Sequence, residues 1–188
     1  CKMAEDDDEN DYFFIIDEIN RGNLSKIFGE LFMLIEKDKR GIELQLLYSD
    51  ENFSVPANVY IIGMMNTADR SLAILDYALR RRFSFFTMKP GFNTPGFQAY
   101  QDSLKSADFN KLIACVKQLN SKIAEDISLG EGFCIGHSYF CSLTPETANT
   151  QTLSSIVEYE LIPLLKEYWF DEPAKVIDWS DRLRSAVK

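Results

Sequence analysis

The sequence predicts an α/β layer fold followed by a small, mostly helical domain. Short apolar runs typical of buried strands alternate with amphipathic stretches in the first half of the chain, a pattern that favours layered strands and helices. Two Pro-Gly pairs then mark a boundary, and beyond it the apolar residues recur with helical spacing only. We therefore expect an acidic, flexible segment at 1–11, part of an α/β core at 12–92 and a helical domain at 93–188.

Three buried strands are predicted in the core. Residues 12–16 are five consecutive apolar or aromatic side chains, as in a strand that is covered on both faces of a parallel sheet. Residues 58–65 and 83–87 have the same character. Residues 42–48 and 53–55 predict a hairpin of two short strands around a polar turn.

Helices are predicted at 23–40 and 71–82, with Asn23 as a suitable N-cap and Gly41 as a suitable stop for the first. The apolar stripe of the first helix consists of Leu24, Ile27, Phe28, Leu31, Leu34 and Ile35. The stripe of the second consists of Leu72, Leu75 and Leu79.

Further helical stripes are expected in the second domain, from Phe109 to Ile123 and from Leu153 to Leu165. Pro163 should kink or restart the later helix, because it has no N–H to donate. The loop 129–140 lies between these stripes.

Composition excludes several classes of protein. A net charge of −9 and a pI near 4.7 argue against a nucleic-acid clamp, so contact with DNA would need another domain or subunit. No apolar run approaches a membrane span, and the acidic start lacks the features of a signal peptide; we expect a cytoplasmic protein without a membrane partner. Four cysteines without a CxxC pair and a single histidine disfavour a zinc site or a disulfide framework.

Two acids end the first predicted strand, and they are candidates for metal binding and catalysis. The carboxyl end of a buried parallel strand faces the ligand crevice of an α/β sheet. A carboxylate there can hold Mg²⁺ through water, and a neighbouring carboxylate can polarise an attacking water as a base. Asp17 and Glu18 suit these two roles. A solvated strand end is the alternative for this short motif.

The strand at 58–65 ends in Asn66. Neighbouring parallel strands end at the same edge of a sheet, so the Asn66 amide could hold the same water or a phosphate oxygen. Alternatively, Asn66 caps the turn into the following helix.

Four of the eight arginines lie between Arg70 and Arg82. Consecutive helical residues are about 100° apart, so Arg81 should point away from the core while Arg80 and Arg82 flank the apolar stripe. An arginine aimed outward from the ligand edge can reach the phosphate of a neighbouring subunit and stabilise transition-state charge. A solvated, charged helix end is the alternative.

Three stretches together resemble the AAA+ motor subunit of McrB-type, modified-cytosine-dependent restriction systems: DEINRGNLSKIFGEL, MNTADRSLAILDYALRRRFSF and GEGFCIGHSYF. The resemblance spans about residues 12–170. DEINR alone is shared with MoxR-like and other dynein-related ATPases, whereas MNTADRS, LRRRFSF and GHSYF in that order are specific.

The resemblance implies a role for each matching residue. Asp17 and Glu18 would be the Walker B pair, and Asn66 would be sensor 1. Asp69 and Arg70 would belong to the adjoining nucleotide-binding motif, and Arg81 and Arg82 would act between subunits. It further implies Mg²⁺ and GTP, with ATP as the alternative nucleotide, a homo-oligomeric ring, an McrC-type nuclease subunit as partner and restriction of DNA carrying 5-methylcytosine.

Two departures from the family pattern affect these expectations. The phosphate loop G-x-x-x-x-G-K-[ST] does not occur, so the chain resembles the C-terminal part of a motor domain, an incomplete AAA+ sheet from the Walker B strand onward, and should be inactive alone. Another polypeptide segment, or a second copy, is expected to complete the sheet beside the strand at 83–87. No arginine lies between Arg82 and Arg182, and His137 occupies the stretch of the usual lid arginine. It either approaches the nucleotide or is a packed histidine.

Three functions remain open on the sequence. The first is a GTP-hydrolysing motor that drives a nuclease. The second is a MoxR-like, ATP-dependent chaperone, which DEINR and the hairpin fit equally well. The third is a non-catalytic assembly module that lacks the phosphate loop, although the two acids and the arginine cluster speak against degeneration of the site.

Overall fold

The computed structural model describes residues 1–47, 49–68 and 77–188. The chain divides into two compact units, Cys1–Phe86 and Thr87–Lys188. Each unit has its own buried apolar clusters, as expected for separate domains.

The first unit combines strands with short helices. Its strands are β1 (Tyr12–Ile16), β2 (Leu44–Gln45), β3 (Asn52–Phe53) and β4 (Val59–Gly63). Its α-helices are α1 (Lys2–Glu5), α2 (Leu24–Phe28) and α3 (Tyr77–Arg80), with 3-10 turns at Ile19–Arg21, Gly29–Ile35 and Lys37–Lys39. β1 pairs in parallel with β4, and β2 pairs antiparallel with β3 as the predicted hairpin.

The register of the parallel pair runs from Tyr12 opposite Val59 to Ile16 opposite Gly63. A parallel pair needs a long crossover connection, and residues 17–58 supply it here. Both strands therefore run in the same direction and end at the same edge of the sheet.

The predicted helix at 23–40 is interrupted. Asn23 caps its start by accepting the N–H of Lys26 at 3.0 Å, as expected, but the α-helix ends at Phe28 and tighter 3-10 turns follow. Gly29 has a φ of +50°, a conformation that glycine adopts without steric cost and that cannot continue a right-handed helix. Ile27 of the predicted stripe is 67% exposed, and Phe32, which follows the break and lies outside that stripe, is buried.

The strand predicted at 83–87 is wrong. The structure has no strand there, and Phe85 and Phe86 are exposed, the latter by 88%. A strand requires a neighbour that accepts and donates backbone hydrogen bonds, and none of the strands in the described residues lies beside this segment. An apolar run is insufficient to form a strand without such a partner.

β1 is less buried than its sequence predicts. Phe13, Phe14 and Ile15 are each more than half exposed, and their neighbours Tyr60 and Ile62 on β4 are also exposed. Phe13 and Tyr60 stack on each other with their ring centroids 5.5 Å apart. The face that carries Phe13 and Ile15 opposite Tyr60 and Ile62 is therefore uncovered in the described residues, as expected for a sheet that further polypeptide completes.

The acidic segment 1–11, for which we expected a flexible chain, is held by specific contacts. The Asn58 side-chain amide donates to the carbonyl oxygens of Ala4, Asp7 and Asn10 at 2.8 to 3.1 Å. The Tyr12 hydroxyl donates to Asp7 at 2.9 Å. These hydrogen bonds fold the segment back onto the start of β1 and β4.

The second unit is helical. Its α-helices are α4 (Pro95–Leu104), α5 (Ala107–Glu125), α6 (Thr150–Ile156), α7 (Ile162–Tyr168) and α8 (Pro173–Ala186). Its 3-10 turns lie at Gly91–Asn93, Glu131–Phe133 and His137–Phe140. The side chains of Thr94, Ser106 and Asn149 cap α4, α5 and α6 by accepting backbone N–H groups. None of the helices in the described part of the chain has the length and apolar character needed to cross a membrane.

The predicted irregularity at Pro163 is confirmed: the helical turn that precedes this residue is a wider π-helical turn. Residues Val157–Leu161 form a π-helical turn between α6 and α7. Pro163 lacks the N–H that an α-helix would direct to residue 159, and a π turn accommodates such a break without ending the helix. Glu158 in this turn forms a bidentate ion pair with Arg184 at 2.5 and 2.9 Å.

Asp126 joins the end of α5 to α8. Its carboxylate accepts hydrogen bonds from Ser128, from the Trp169 indole at 2.9 Å and from the Lys175 ammonium at 2.9 Å. The Ser128 bonds and then those from Lys175 and Trp169 hold the pKa of Asp126 well below its ordinary value of 3.8.

This depressed pKa predicts a pH-dependent stability. A carboxyl whose folded pKa is lowered stabilises the fold above its ordinary pKa, and that stability is lost as the pH falls from about 4 toward the folded value. Asp126→Asn should lower the free energy of unfolding by about 1–2 kcal/mol at neutral pH and flatten its decline below pH 4, measured by denaturant unfolding. The exposed Asp102→Asn is the control; equal effects of both variants would contradict the prediction.

Candidate functional site

The candidate site lies where β1 and β4 end. The Met64 N–H donates to the Ile16 carbonyl at 2.8 Å, and the Ile19 N–H donates to the Met64 carbonyl at 2.9 Å. These bonds continue the parallel pairing past the last strand residues, so Asp17 and Asn66 follow the ends of adjacent strands at one edge of the sheet.

The backbone at the acid pair is unusual. Glu18 has φ 50° and ψ 46°, the left-handed region, which costs a non-glycine residue about 1 kcal/mol. Its N–H donates to Asp17 Oδ1 at 2.9 Å, and the first turn of the 3-10 helix Ile19–Arg21 follows. Such strain at the end of a strand is typical of functional positions, where it fixes the direction of a side chain.

The Glu18 carboxylate is partly enclosed. Its side chain is 38% exposed as a whole, yet Oε2 is buried and makes no hydrogen bond among the described residues. The Arg21 guanidinium, whose side chain is 58% exposed, lies 3.3 Å from this oxygen as an ion pair, and a pair with so exposed a partner contributes little to stability. Because Oε2 is buried while the side chain as a whole is 38% exposed, a water molecule can reach the carboxylate only at its exposed part.

Asn66 caps the turn that follows β4. Its Oδ1 accepts the N–H of Ala68 at 3.0 Å, so the capping alternative is present in this structure. The Asn66 amide nitrogen donates to no described residue, and its two N–H groups could contact a ligand at the same time. Asp69 and Arg70, the other residues expected in this motif, lie outside the described residues, as do Leu72 and Leu75.

The three consecutive arginines differ in environment. Arg80, at the end of α3, and Arg81 are exposed. Arg82 is partly buried: its guanidinium lies 2.5 Å from Glu36 Oε1 and 4.5 Å from the centroid of the Phe32 ring. The predicted outward position of Arg81 agrees with its exposure, and Arg82 is held within its own unit.

One small apolar cluster lies beneath all of these segments. Its buried members are Ile19, Phe32 and Ile35, and the residues packed against them are Ile16, Phe28, Ile61, Met65 and Phe83. Ile16 and Ile19 flank the acid pair, Met65 precedes Asn66 and Phe83 follows Arg82. The backbone at each part of the candidate site is therefore anchored in the same core.

Glu36 and Phe32 are absent from the residues that the sequence predicts for the site. Phe32 lies outside the stripe that a continuous helix would bury, and Glu36 is one of several acids in a charged stretch. Their contacts with Arg82 join residues far apart in the chain. Local periodicity in the sequence does not predict such contacts.

The candidate carboxylate ligands suit Mg²⁺, which keeps water ligands, better than a metal ion that is coordinated by protein side chains alone. No group of three or more His, Cys, Asp and Glu side chains that could hold a metal ion occurs within the described residues. Mg²⁺ is commonly bound through one or two carboxylates together with water and substrate phosphates. The exposed Asp17 at the strand end fits that requirement.

In the second unit, His137 is a packed histidine. Its Nδ1 accepts the N–H of Gly91 at 2.9 Å, and its ring lies edge-to-face with Phe92 and Phe97, with centroids 6.2 and 6.0 Å apart. These contacts correspond to the packing alternative. Its predicted approach to a nucleotide stays a prediction.

This arrangement predicts a specific cost of substitution at Gly91. A Cβ there would lie 3.0 Å from His137 Cε1 and 3.2 Å from Nδ1, so the ring must shift away from its aromatic neighbours. We expect Gly91→Ala to lower the free energy of unfolding by about 1–3 kcal/mol, and expect the loss to shrink when His137 is also alanine.

Gly96 in α4 provides the matched control for denaturant unfolding. A Cβ at Gly96 would meet no described atom within 4 Å, and alanine is favoured over glycine in a helix by about 1 kcal/mol. Gly96→Ala should therefore be neutral or stabilising. A loss at Gly96 as large as that at Gly91 would contradict the steric argument.

Comparison with known families agrees with this geometry. Residues 4–83 match the family described as AAA domain (dynein-related subfamily), and residues 111–177 match the family described as McrB, alpha-helical lid domain. The first range contains the parallel pair β1–β4, and the second covers much of the helical unit. The chain is therefore an AAA+ protein of the dynein-related subfamily, with part of an α/β core followed by a helical lid, as the sequence predicted.

Within that class the chain is McrB-like. It is 51% identical over 193 residues to the Type IV methyl-directed restriction enzyme EcoKMcrB subunit of Escherichia coli (strain K12), across 97% of this chain and 42% of the relative. It is 29% identical over 143 residues to the Type II restriction enzyme BsuMI component YdiS of Bacillus subtilis (strain 168), across 65% of this chain and 42% of that relative. The chain thus spans less than half the length of either protein.

Proposed function

We propose that this chain forms the C-terminal part of the AAA+ motor of a modified-cytosine-dependent DNA restriction system, which hydrolyses GTP at subunit interfaces and drives a nuclease partner. The observation that carries the proposal is the parallel pairing of β1 and β4, which brings Asp17, Glu18 and Asn66 to one sheet edge. The likeness to two restriction-enzyme components supports the biological setting.

The proposed site divides the work among named side chains. Asp17 holds Mg²⁺, which would neutralise charge on the phosphates of the bound nucleotide. Glu18 accepts a proton from the attacking water through the exposed part of its carboxylate. Asn66 orients that water or a γ-phosphate oxygen through its amide N–H groups.

The other proposed site residues lie on further segments of the chain, and some of them act on a neighbouring subunit. Arg81 and Arg82 supply the arginine function to the γ-phosphate of a neighbouring subunit, where a positive charge stabilises the transition state. Asp69 and Arg70 contact the nucleotide in their own subunit.

The same proposal implies which partners this protein needs. A site that needs arginine from a neighbour requires a homo-oligomeric ring, and a restriction function requires a nuclease subunit, which we propose is of the McrC type. The net charge of −9 is unsuited to direct contact with DNA, so the modified base is recognised by another domain or subunit. The uncovered apolar face of β1 and β4 is completed by polypeptide that carries the phosphate loop.

The test is turnover of GTP and of ATP by the full-length protein that contains this chain, measured as phosphate release at saturating Mg²⁺. Preference for GTP is the expected result. Preference for ATP would replace the restriction motor with the MoxR-like chaperone. Turnover of neither nucleotide would leave an assembly module and overturn the proposal.

A further inference from the structure

A cleft on the first unit contains an ion pair between Arg82 and Glu36, and the proposed roles assign no task to Glu36. The cleft has a volume of about 580 Å³ and is lined by Glu36, Lys37, Asp38, Tyr77, Arg81 and Arg82. Glu36 Oε1 and Arg82 Nη2 lie 2.5 Å apart, with side chains 35% and 20% exposed. A charge-assisted contact that is partly shielded from water is stronger than an exposed pair.

The other side of Arg82 lies against an aromatic ring. The guanidinium carbon is 4.5 Å from the centroid of Phe32, within the range of a cation–π interaction. Phe32 is only 8% exposed and belongs to the apolar cluster beneath the strand ends. Arg82 is thus held between a carboxylate and a buried ring, and the next residue, Phe83, packs on the same cluster.

Arg81, the adjacent residue, has a different environment. It is exposed and lines the same cleft. Because adjacent residues share a peptide plane, holding Arg82 fixes the backbone from which the Arg81 side chain projects. Fixing that starting point reduces the conformational freedom that Arg81 must lose to reach a phosphate.

We infer that Glu36 is a positioning residue for the arginine function: it holds Arg82 against Phe32 and so fixes the backbone from which Arg81 reaches the phosphate of a neighbouring subunit. This inference rests on the proposed function and refines it, because Arg82 acts through Arg81 instead of contacting the phosphate itself. Glu36 lies beyond every motif that the sequence identified.

The first test is the steady-state kinetics of the full-length Glu36→Gln protein. Glutamine keeps the size of the side chain and removes its charge, so the pair with Arg82 weakens without leaving a cavity. We expect kcat to fall about 10- to 100-fold while KM for the nucleotide stays within about twofold, since nucleotide binding in the same subunit does not involve Glu36. Asp38→Asn in the same cleft, whose acid pairs with the adjacent Lys39, is the matched control and should turn over normally.

The second test exchanges the two charges. Glu36→Arg and Arg82→Glu should each lower kcat, and the double variant should recover at least about tenfold over either single variant, because the exchange restores an attractive pair. If Arg82 contacted the phosphate directly, a glutamate at position 82 would repel it, and no recovery would occur. Glu36→Asp, which keeps the carboxylate, should likewise exceed Glu36→Gln.

Mixing subunits separates positioning from loss of fold. Glu36→Gln subunits mixed with Glu18→Gln subunits should regain turnover, since an intact arginine then faces an intact base across the interface. A subunit that is merely unfolded would show no recovery and a lower melting temperature. Normal kcat in Glu36→Gln, or failure of both the aspartate and the charge-exchange variants to recover at unchanged melting temperature, would overturn the inference.

The Arg81→Ala variant distinguishes failure of the positioning role of Glu36 from failure of the proposed function on which that role rests. If Arg81→Ala stops turnover while Glu36→Gln does not, the positioning role fails and the motor stands. If Arg81→Ala turns over normally, the arginine function itself is wrong, and the positioning role is overturned with it.

Discussion

Glu18→Gln in the full-length protein is expected to slow nucleotide turnover by about 10²- to 10⁴-fold, the contribution of a general base. Glutamine has nearly the same size and cannot accept a proton, so the strained backbone at position 18 and the adjacent Asp17 are retained. Nucleotide affinity should change little. Phosphate release and equilibrium binding of a labelled nucleotide measure the two effects separately.

A glutamate elsewhere in the same unit serves as the control. Glu51 is exposed on the turn between β2 and β3, and Glu51→Gln removes the same charge without touching the sheet edge. Turnover by Glu18→Gln within a few-fold of the unchanged protein would rule out this carboxylate as the base. Loss of binding together with turnover would instead assign Glu18 to holding the nucleotide.

Arg81→Ala is expected to have the largest effect, a loss of about 10³- to 10⁵-fold in kcat, which is typical of an arginine that stabilises transition-state charge from a neighbouring subunit. Arg80, exposed one position earlier, offers a matched control: Arg80→Ala removes an equal charge and should leave turnover nearly unchanged. Equal losses at both positions would indicate a general electrostatic effect of the cluster.

Mixing Arg81→Ala with Glu18→Gln subunits tests whether Arg81 acts on a neighbouring subunit. Arg81→Ala subunits retain the base, and Glu18→Gln subunits retain the arginine, so a mixed ring contains some interfaces with both groups intact. Two inactive proteins should therefore regain part of the turnover when mixed. Absence of any recovery would place Arg81 in its own subunit's site or outside the chemistry.

The sequence predicted those features that local patterns encode. Apolar runs that end in polar residues located β1, β4 and the sheet edge at which Asp17 and Asn66 lie. Spaced apolar residues located the helices of the second unit, with the Phe109–Ile123 stripe buried in its core. Both patterns reflect burial along a single element, which adjacent residues determine.

Features that depend on distant residues were missed or wrong. Gly29 interrupts the helix through a positive φ that a hydrophobic stripe does not reveal. The run at 83–87 forms no strand because pairing depends on a neighbour elsewhere in the fold. The Glu36 and Phe32 contacts with Arg82 arise only when the chain folds back on itself.

The uncovered face of β1 and β4 has a consequence for biosynthesis. Exposed apolar strands with unpaired edges attract other unpaired strands, so a freshly made copy of this segment is vulnerable to association until its sheet is completed. In the proposed motor, the polypeptide that carries the phosphate loop would dock on β1 and β4 and shorten that interval. Assembly of the nucleotide site and protection from aggregation are then the same folding event.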